Sequence, residues 1–228
     1  MTFTRALLAA AAGLALSATA QAQDQYIFGF SGSNAGNGLT INGSNTIGMA
    51  DQGWYAPNGS HNPGNSNYIV GPCTTCAITG EYRNWFAFDI ANLTAPVNSL
   101  SLRLFSYSVT LSSGNYYLND VSTSTGSLIG GTGGLAAWND LGTGTNYGFQ
   151  FFQSATDSNT FFDIALSGAA VNGLNAAIRG GASQWAVGGA FAAGSVPVPP
   201  APIPLPPSAA LLLGGLVAMR FAMRRKPA

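Results

Sequence analysis

Charge is what this chain has least of. Only 7% of its 228 residues are Asp, Glu, Lys or Arg, and it carries one histidine, His61. Glu81 is its one glutamate and Lys226 its one lysine. Between residues 23 and 195 the cations are Arg83, Arg103 and Arg179 against eight acids, a net charge of −5 with no basic stripe. A phosphate backbone demands clustered Lys and Arg, so nucleic-acid binding is excluded. Two cysteines cannot build a multi-disulfide scaffold or a four-cysteine zinc site. No G-x-S-x-G elbow accompanies His61, and paired carboxylates for glycoside hydrolysis would have to come from separate strands. The sequence therefore points away from an enzyme. No internal period of 20–50 residues marks a solenoid.

Aromatic residues are plentiful instead. They make up 11% of the chain, with Trp54, Trp85, Trp138 and Trp185 at their head, and they demand burial. About 170 residues between the two ends suffice for one domain with a real core. Alternation and turn punctuation dominate over helical period. Strands are expected at 26–30, 46–50, 52–56, 67–70, 82–90, 99–104, 116–121, 147–152 and 160–166, with a closing strand over 184–187 and Phe191. Phe86, Phe88 and Ile90 share one face of their strand, Trp85 and Ala87 the other, and the strands 82–90 and 99–104 are expected to be neighbouring and mostly antiparallel, with Phe86, Phe88 and Leu102 in the core. The adjacent pair Leu104-Phe105 breaks the alternation of Leu100, Leu102 and Leu104, which predicts a bulge or a bend. One helix is expected after Ser167, with Val171, Leu174 and Ile178 on one face and a stop at Gly180-Gly181. Leu135–Trp138 reads as a single turn, and the glycine-rich stretches 29–48 and 126–134 read as loops or turns. The expected fold is mainly β: a two-sheet β-sandwich, jelly-roll-like, with one short helix.

The two ends carry different signals. Arg5 precedes an eleven-residue apolar run, Ala6–Leu16, followed by small residues. This is a signal peptide, 1–22, with A-x-A cleavage read after Ala22 and a second site after Ala20. At the other end a proline-rich linker, 196–207, is expected to be extended and solvated, since proline fixes φ near the polyproline value. The apolar segment 208–223 follows, read as a C-terminal transmembrane helix. Its sixteen residues span roughly 24 Å, short of the ~30 Å hydrocarbon core. Arg220 can snorkel to the headgroups, and the basic cluster Arg224, Arg225 and Lys226 places the C-terminus in the cytoplasm.

Ile203-Pro-Leu-Pro-Pro207, the apolar run and the basic stop together resemble a VPLPA-type PEP-CTERM tail. Ile203 stands where that family has Val, Pro207 where it has Ala, and Arg220 falls early. The resemblance covers about 25 residues (203–228) and concerns sorting alone. It implies Ile203, Pro204, Leu205, Pro206 and Pro207 as the processing motif, and the export machinery and an exosortase-type membrane protease as partners. It also implies a precursor anchored in the inner membrane through its C-terminal helix, then a cell-surface or extracellular protein. Arg83-x-x-x-x-Phe88-Asp-Ile90 followed by Leu100-Ser-Leu-Arg-Leu104 is similar, in turn, to a strand pair in jelly-roll domains of exported bacterial proteins.

Few side chains in the body suggest chemistry. Cys73-Thr-Thr-Cys76 fits a local disulfide in an oxidising compartment; Ala77 rules out haem attachment, and no thioredoxin-like context follows. Asp140 and Asp157 sit in loops that could offer oxygens to calcium, although solvated turns use the same residues, and neither metal nor cofactor is expected. Trp54-Tyr55 and Tyr116-Tyr117 each place one ring on each face of a strand, so one of each pair could stack on a sugar. Three readings follow. The first is an exported structural protein of the cell surface or matrix. The second is a carbohydrate-binding module for exopolysaccharide, which an exposed aromatic strip beside Asn or Asp would favour. The third is a secreted hydrolase, which would need His61, an acid and a nucleophile in one cleft.

Overall fold

Ten residues from Gly80 to Asp89 form the strand around which the rest is arranged. This strand, β6 (Gly80–Asp89), buries both faces: Phe86 and Phe88 on one side, Trp85 and Ala87 on the other, all fully inaccessible. A strand with two buried faces must have layers above and below it. The computed structural model describes residues 24–29, 36–93 and 96–191, which belong to one compact unit, Gln23–Val196. The signal peptide with Ala20 and Ala22, the linker, the Ile203–Pro207 motif, the 208–223 segment and the Arg224–Lys226 cluster lie outside the described residues.

Around β6 stand β1 (Ile27–Gly29), β4 (Asp51–Tyr55), β5 (Tyr68–Cys73), β8 (Ser108–Val109), β9 (Ser113–Asp120), β10 (Asn146–Gln153) and β12 (Gln184–Phe191). They form an eight-stranded sheet in the order β10-β9-β12-β6-β5-β1-β8, with β4 also paired to β6. A four-stranded sheet holds β11 (Thr160–Leu166), β7 (Leu100–Ser106), β2 (Gly38–Ile41) and β3 (Asn45–Gly48), in that order. Every pairing is antiparallel. Between the sheets lies the main core, where Phe86, Phe88 and Val187 of the larger sheet join Leu102, Leu104 and Ile164 of the smaller. Three helices complete the described residues: α1 (Thr125–Ile129), α2 (Gly134–Leu141) and α3 (Gly168–Arg179). The protein is thus mainly β, with two sheets and few helices.

Several expectations need correction. The 82–90 and 99–104 segments are strands with Phe86, Phe88 and Leu102 in the core, but they are not neighbours: β6 pairs with β12, β4 and β5, and β7 with β11 and β2. Alternation reports which face is buried, and it is the same whether the partner lies alongside or across the core. No bulge occurs at Leu104-Phe105. The β7–β11 register runs unbroken from Ser106↔Thr160 to Leu100↔Leu166, and Phe105 turns outward onto Phe161, with ring centroids 4.9 Å apart. The irregularity falls instead between Asn146 and Gly148, where Tyr147 turns inward against Trp185.

The stretch 29–48 is not all loop. Asn42 (φ 53°) and Gly43 (φ 74°) take left-handed conformations between β2 and β3, the signature of a tight hairpin turn. The stretch 126–134 is not all loop either: Ser124 caps α1 by accepting from the Ser127 N–H at 3.2 Å, and Leu128 is buried. Leu135–Trp138 is part of an eight-residue helix rather than a single turn. One expected helix is therefore three. The expected helix after Ser167 is present as α3, with Ala170 and Leu174 buried and Gly181 (φ 70°) closing its end. The Ser167 hydroxyl, however, donates to the Asn146 carbonyl and does not cap the helix.

Candidate functional site

Two halves of the larger sheet differ on their outer face. Over β4, β6 and β12 the face is roofed by α1 and α2, giving a second core of Tyr55, Trp85, Ala87, Leu128, Ala137, Leu141 and Ala186. Two polar anchors fix that roof. The Tyr55 hydroxyl donates to the Ser127 carbonyl at 2.9 Å and accepts from the Gly133 N–H at 3.3 Å. Arg83 lies 3.7 Å over the Trp138 ring and donates to the carbonyls of Trp138 and Asn139 near the end of α2. A cation there also suits the negative end of the helix.

Over β10 and the Asn115–Tyr117 part of β9, no described element covers the face. The strand period sends Tyr116, Leu118 and Phe152 into the core and Asn115, Tyr117, Phe149, Phe151 and Gln153 outward. Phe149 and Phe151 are 59% and 49% exposed, large values for phenylalanine on a paired strand. Tyr117 pairs with Phe149 across the two strands, their ring centroids 5.9 Å apart at 33°. Asn115 stands opposite Phe151 and donates to the Tyr117 hydroxyl at 3.3 Å. On the other side of Tyr117 is Ala190 of β12, too small to shade the ring. The result is an uncharged strip of three rings edged by amides. Rings of this kind stack on the C–H faces of sugars while amides serve the hydroxyls.

Of the four candidate aromatics, only Tyr117 belongs to this strip. Tyr55 and Tyr116 are buried, and the Tyr116 hydroxyl donates to Asn84 Oδ1 at 2.9 Å in the interior, where burial pushes its pKa far up. Trp54 is half-buried, its ring edge-to-face with Tyr82 at 5.3 Å and His61 at 5.8 Å. Phe149 and Phe151 were missed as site residues, although the alternation of 147–152 already placed them on one face.

His61 sits among the rings of Trp54, Tyr55 and Trp85. Its Nδ1 is buried without a hydrogen-bond partner among the described residues. Burial lowers its pKa, opposed by the Trp54 backbone and by the Asp51 carboxylate. This is the setting of a packed neutral ring, with no hydroxyl bonded to it.

Asp140 accepts four hydrogen bonds, from the N–H and hydroxyl of both Ser122 and Thr123 at 2.7–3.0 Å. Asp157 accepts from the Gln153 N–H at 2.8 Å and from the Thr156 hydroxyl. Both carboxylates close loops. Among the described residues no group of three or more His, Cys, Asp or Glu could hold a metal.

Cys73 and Cys76 are joined in a disulfide, Cα–Cα 5.5 Å. An open hollow of about 310 Å³ lies at the β2–β3 turn, lined by Ile41, Asn42, Ser44, Asn45, Asn92, Leu93 and Val97. Comparison of the chain with protein-family models gives no match, and comparison with curated proteins gives none either. Any functional reading rests on this chain's own residues.

Proposed function

We propose that this chain is an exported, non-enzymatic protein of the cell surface or extracellular matrix, sorted by a C-terminal exosortase-type signal. The observation that carries the reading is the order of three tail segments: the proline run ending in Ile203–Pro207, the apolar 208–223 and the basic Arg224–Lys226. Stiff spacer, membrane segment and cytoplasmic stop in that order hold a processing motif at the membrane surface. A jelly-roll-like sandwich belongs to the same proposal, supported by two antiparallel sheets that face each other across one core. Deleting 203–228 is expected to abolish membrane retention of the precursor, and alanines at Pro204, Leu205 and Pro206 to leave it anchored but unprocessed. Surface material yielding peptides through Lys226 would replace exosortase sorting with a permanent tail anchor.

A second reading concerns the body and is favoured by the strip of Tyr117, Phe149 and Phe151 beside Asn115: it binds carbohydrate. The strip has no charge and the body is net acidic, so the matching ligand is a neutral exopolysaccharide. A glycan array on the exported protein tests this. Retention of neutral glycans that Phe149→Ala and Phe151→Ala both weaken is the expected outcome; binding that both variants leave intact would move the site elsewhere.

A further inference from the structure

Beside a small buried cluster of Ala56, Ile69, Cys73 and Tyr82, the four-residue loop closed by Cys73 and Cys76 converges on one carboxylate. Asp24 Oδ1 accepts from the Thr74 N–H, from the Thr74 hydroxyl at 2.7 Å and from the Thr75 N–H at 3.2 Å, while Oδ2 accepts from the Thr75 hydroxyl. Two successive backbone N–H groups with two hydroxyls beside them form a concave set of donors suited to an anion. Cys73 is the last residue of β5 and its sulfur is buried, whereas Cys76 is half-buried. Their bond folds Thr74 and Thr75 back so that all four donors face the same way.

Asp24 lies three residues ahead of β1. From there the chain runs antiparallel along β5: the Gln25 N–H donates to the Pro72 carbonyl at 2.9 Å, and Ile27, Phe28 and Gly29 pair with Val70, Ile69 and Tyr68. On its other side β1 carries β8, through Ile27↔Val109 and Phe28↔Ser108. A three-residue strand is held by few ladder bonds, so charge-assisted bonds at its start weigh heavily in its hold on the sheet. The donors also hold the Asp24 carboxyl below its ordinary pKa, the Thr75 hydroxyl first among them.

We propose that the Cys73–Cys76 loop is a carboxylate-binding site whose ligand is the chain's own Asp24, and that the disulfide controls whether β1 is latched to the sheet. Reduction by a dithiol delivers two electrons and two protons, breaks the S–S bond, leaves two thiols on the protein and converts the reductant to its own disulfide. Thr74 and Thr75 are then free to turn apart, Asp24 is released, and β1 leaves an open edge on β5. Oxidation by a small-molecule disulfide, itself reduced to two thiols, reverses each step. The latch does not depend on the sorting or carbohydrate readings.

Hydrogen exchange read by mass spectrometry on the full-length exported protein tests it, before and after dithiothreitol, with alkylation to show that both thiols have been freed. Peptides covering 24–29 are expected to exchange about tenfold faster or more after reduction, the scale of a lost charge-assisted bond, while 100–106 and 160–166 keep their protection. Asp24→Ala is expected to give the same loosening with the disulfide intact, and reduction then to add nothing. Cys76→Ser is expected to behave as the reduced protein without any reductant. Unchanged protection of 24–29 once both thiols are alkylated would overturn the proposal. Equal loosening of 160–166 would overturn it too, because the disulfide would then be a staple of the whole body.

Discussion

One sheet has two outer faces of opposite fate. Over β6 and β12, Trp85 and Ala186 lie under Leu128 and Leu141 of two short helices; over β9 and β10, Tyr117, Phe149 and Phe151 lie under nothing among the described residues. Both halves are paired antiparallel, β6–β12 without a break and β9–β10 without one from Gly148 to Gln153. What differs is where the segment joining β9 to β10 is laid. Residues 124–141 fold as α1 and α2 over β4, β6 and β12, anchored by Tyr55 and Arg83, rather than over the two strands they connect. Aromatic residues on the roofed half stabilise the fold. The same residue types on the bare half add little to stability and remain available to a ligand.

The largest expected effect tests the roofed half. Trp85→Ala should cost about 3–5 kcal/mol in urea unfolding of the protein, the usual range for removing a large core aromatic. A loss below about 1 kcal/mol would mean that the helices are not a second core. Arg83→Ala comes next, at about 1–3 kcal/mol, since it removes a ring contact and two carbonyl partners at the end of α2. Arg83→Lys should recover only part of this, because an ammonium cannot lie flat on Trp138.

A smaller change is expected from pH. His61 has a folded pKa below its unfolded value near 6.5, so the unfolded chain takes up the proton first. Stability should therefore decline as pH falls below about 6.5, and His61→Phe should flatten that decline. A variant that keeps the full slope would place its origin in other groups. The smallest effect belongs to the bare half. Phe149→Ala should move stability by no more than about 0.5 kcal/mol, while weakening a stacked glycan about two- to tenfold. If Phe149→Ala destabilises as Trp85→Ala does, the two halves are not different in kind.

Much of the strand pattern was readable because alternation reports burial directly. The 160–166 strand matches residue for residue, and Phe86, Phe88 and Leu102 lie in the core. Pairing was not readable, because the same alternation serves a strand beside β6 and one across the core from it. The short helices were hidden by glycine at their ends and by a length that yields little periodic signal; α1 and α2 owe their stability to burial of Leu128 and Leu141 against Trp85. Asn42-Gly43, by contrast, is a strong hairpin signal that was available and was absorbed into a glycine-rich loop. At the site, the alternation of 147–152 set the direction of Phe149 and Phe151. Whether anything covered them depended on where residues 124–141 folded, and local sequence does not specify that.

The strand order has a consequence for when this body can exist at all. β12, the last strand among the described residues, lies between β9 and β6, and its Val187 and Gly189 pair with Asp120 and Leu118 on one side and with Phe86 and Asn84 on the other. A chain that emerges from its N-terminus onward presents β9 and β10 as one ribbon, and β6 with β4 and β5 as another, with the joining strand still missing. Until residue 191 has emerged the larger sheet is two fragments, each with an unpaired aromatic edge. Closure is then a single late event spanning about 100 residues of sequence, which makes the body slow to fold and easy to thread while incomplete.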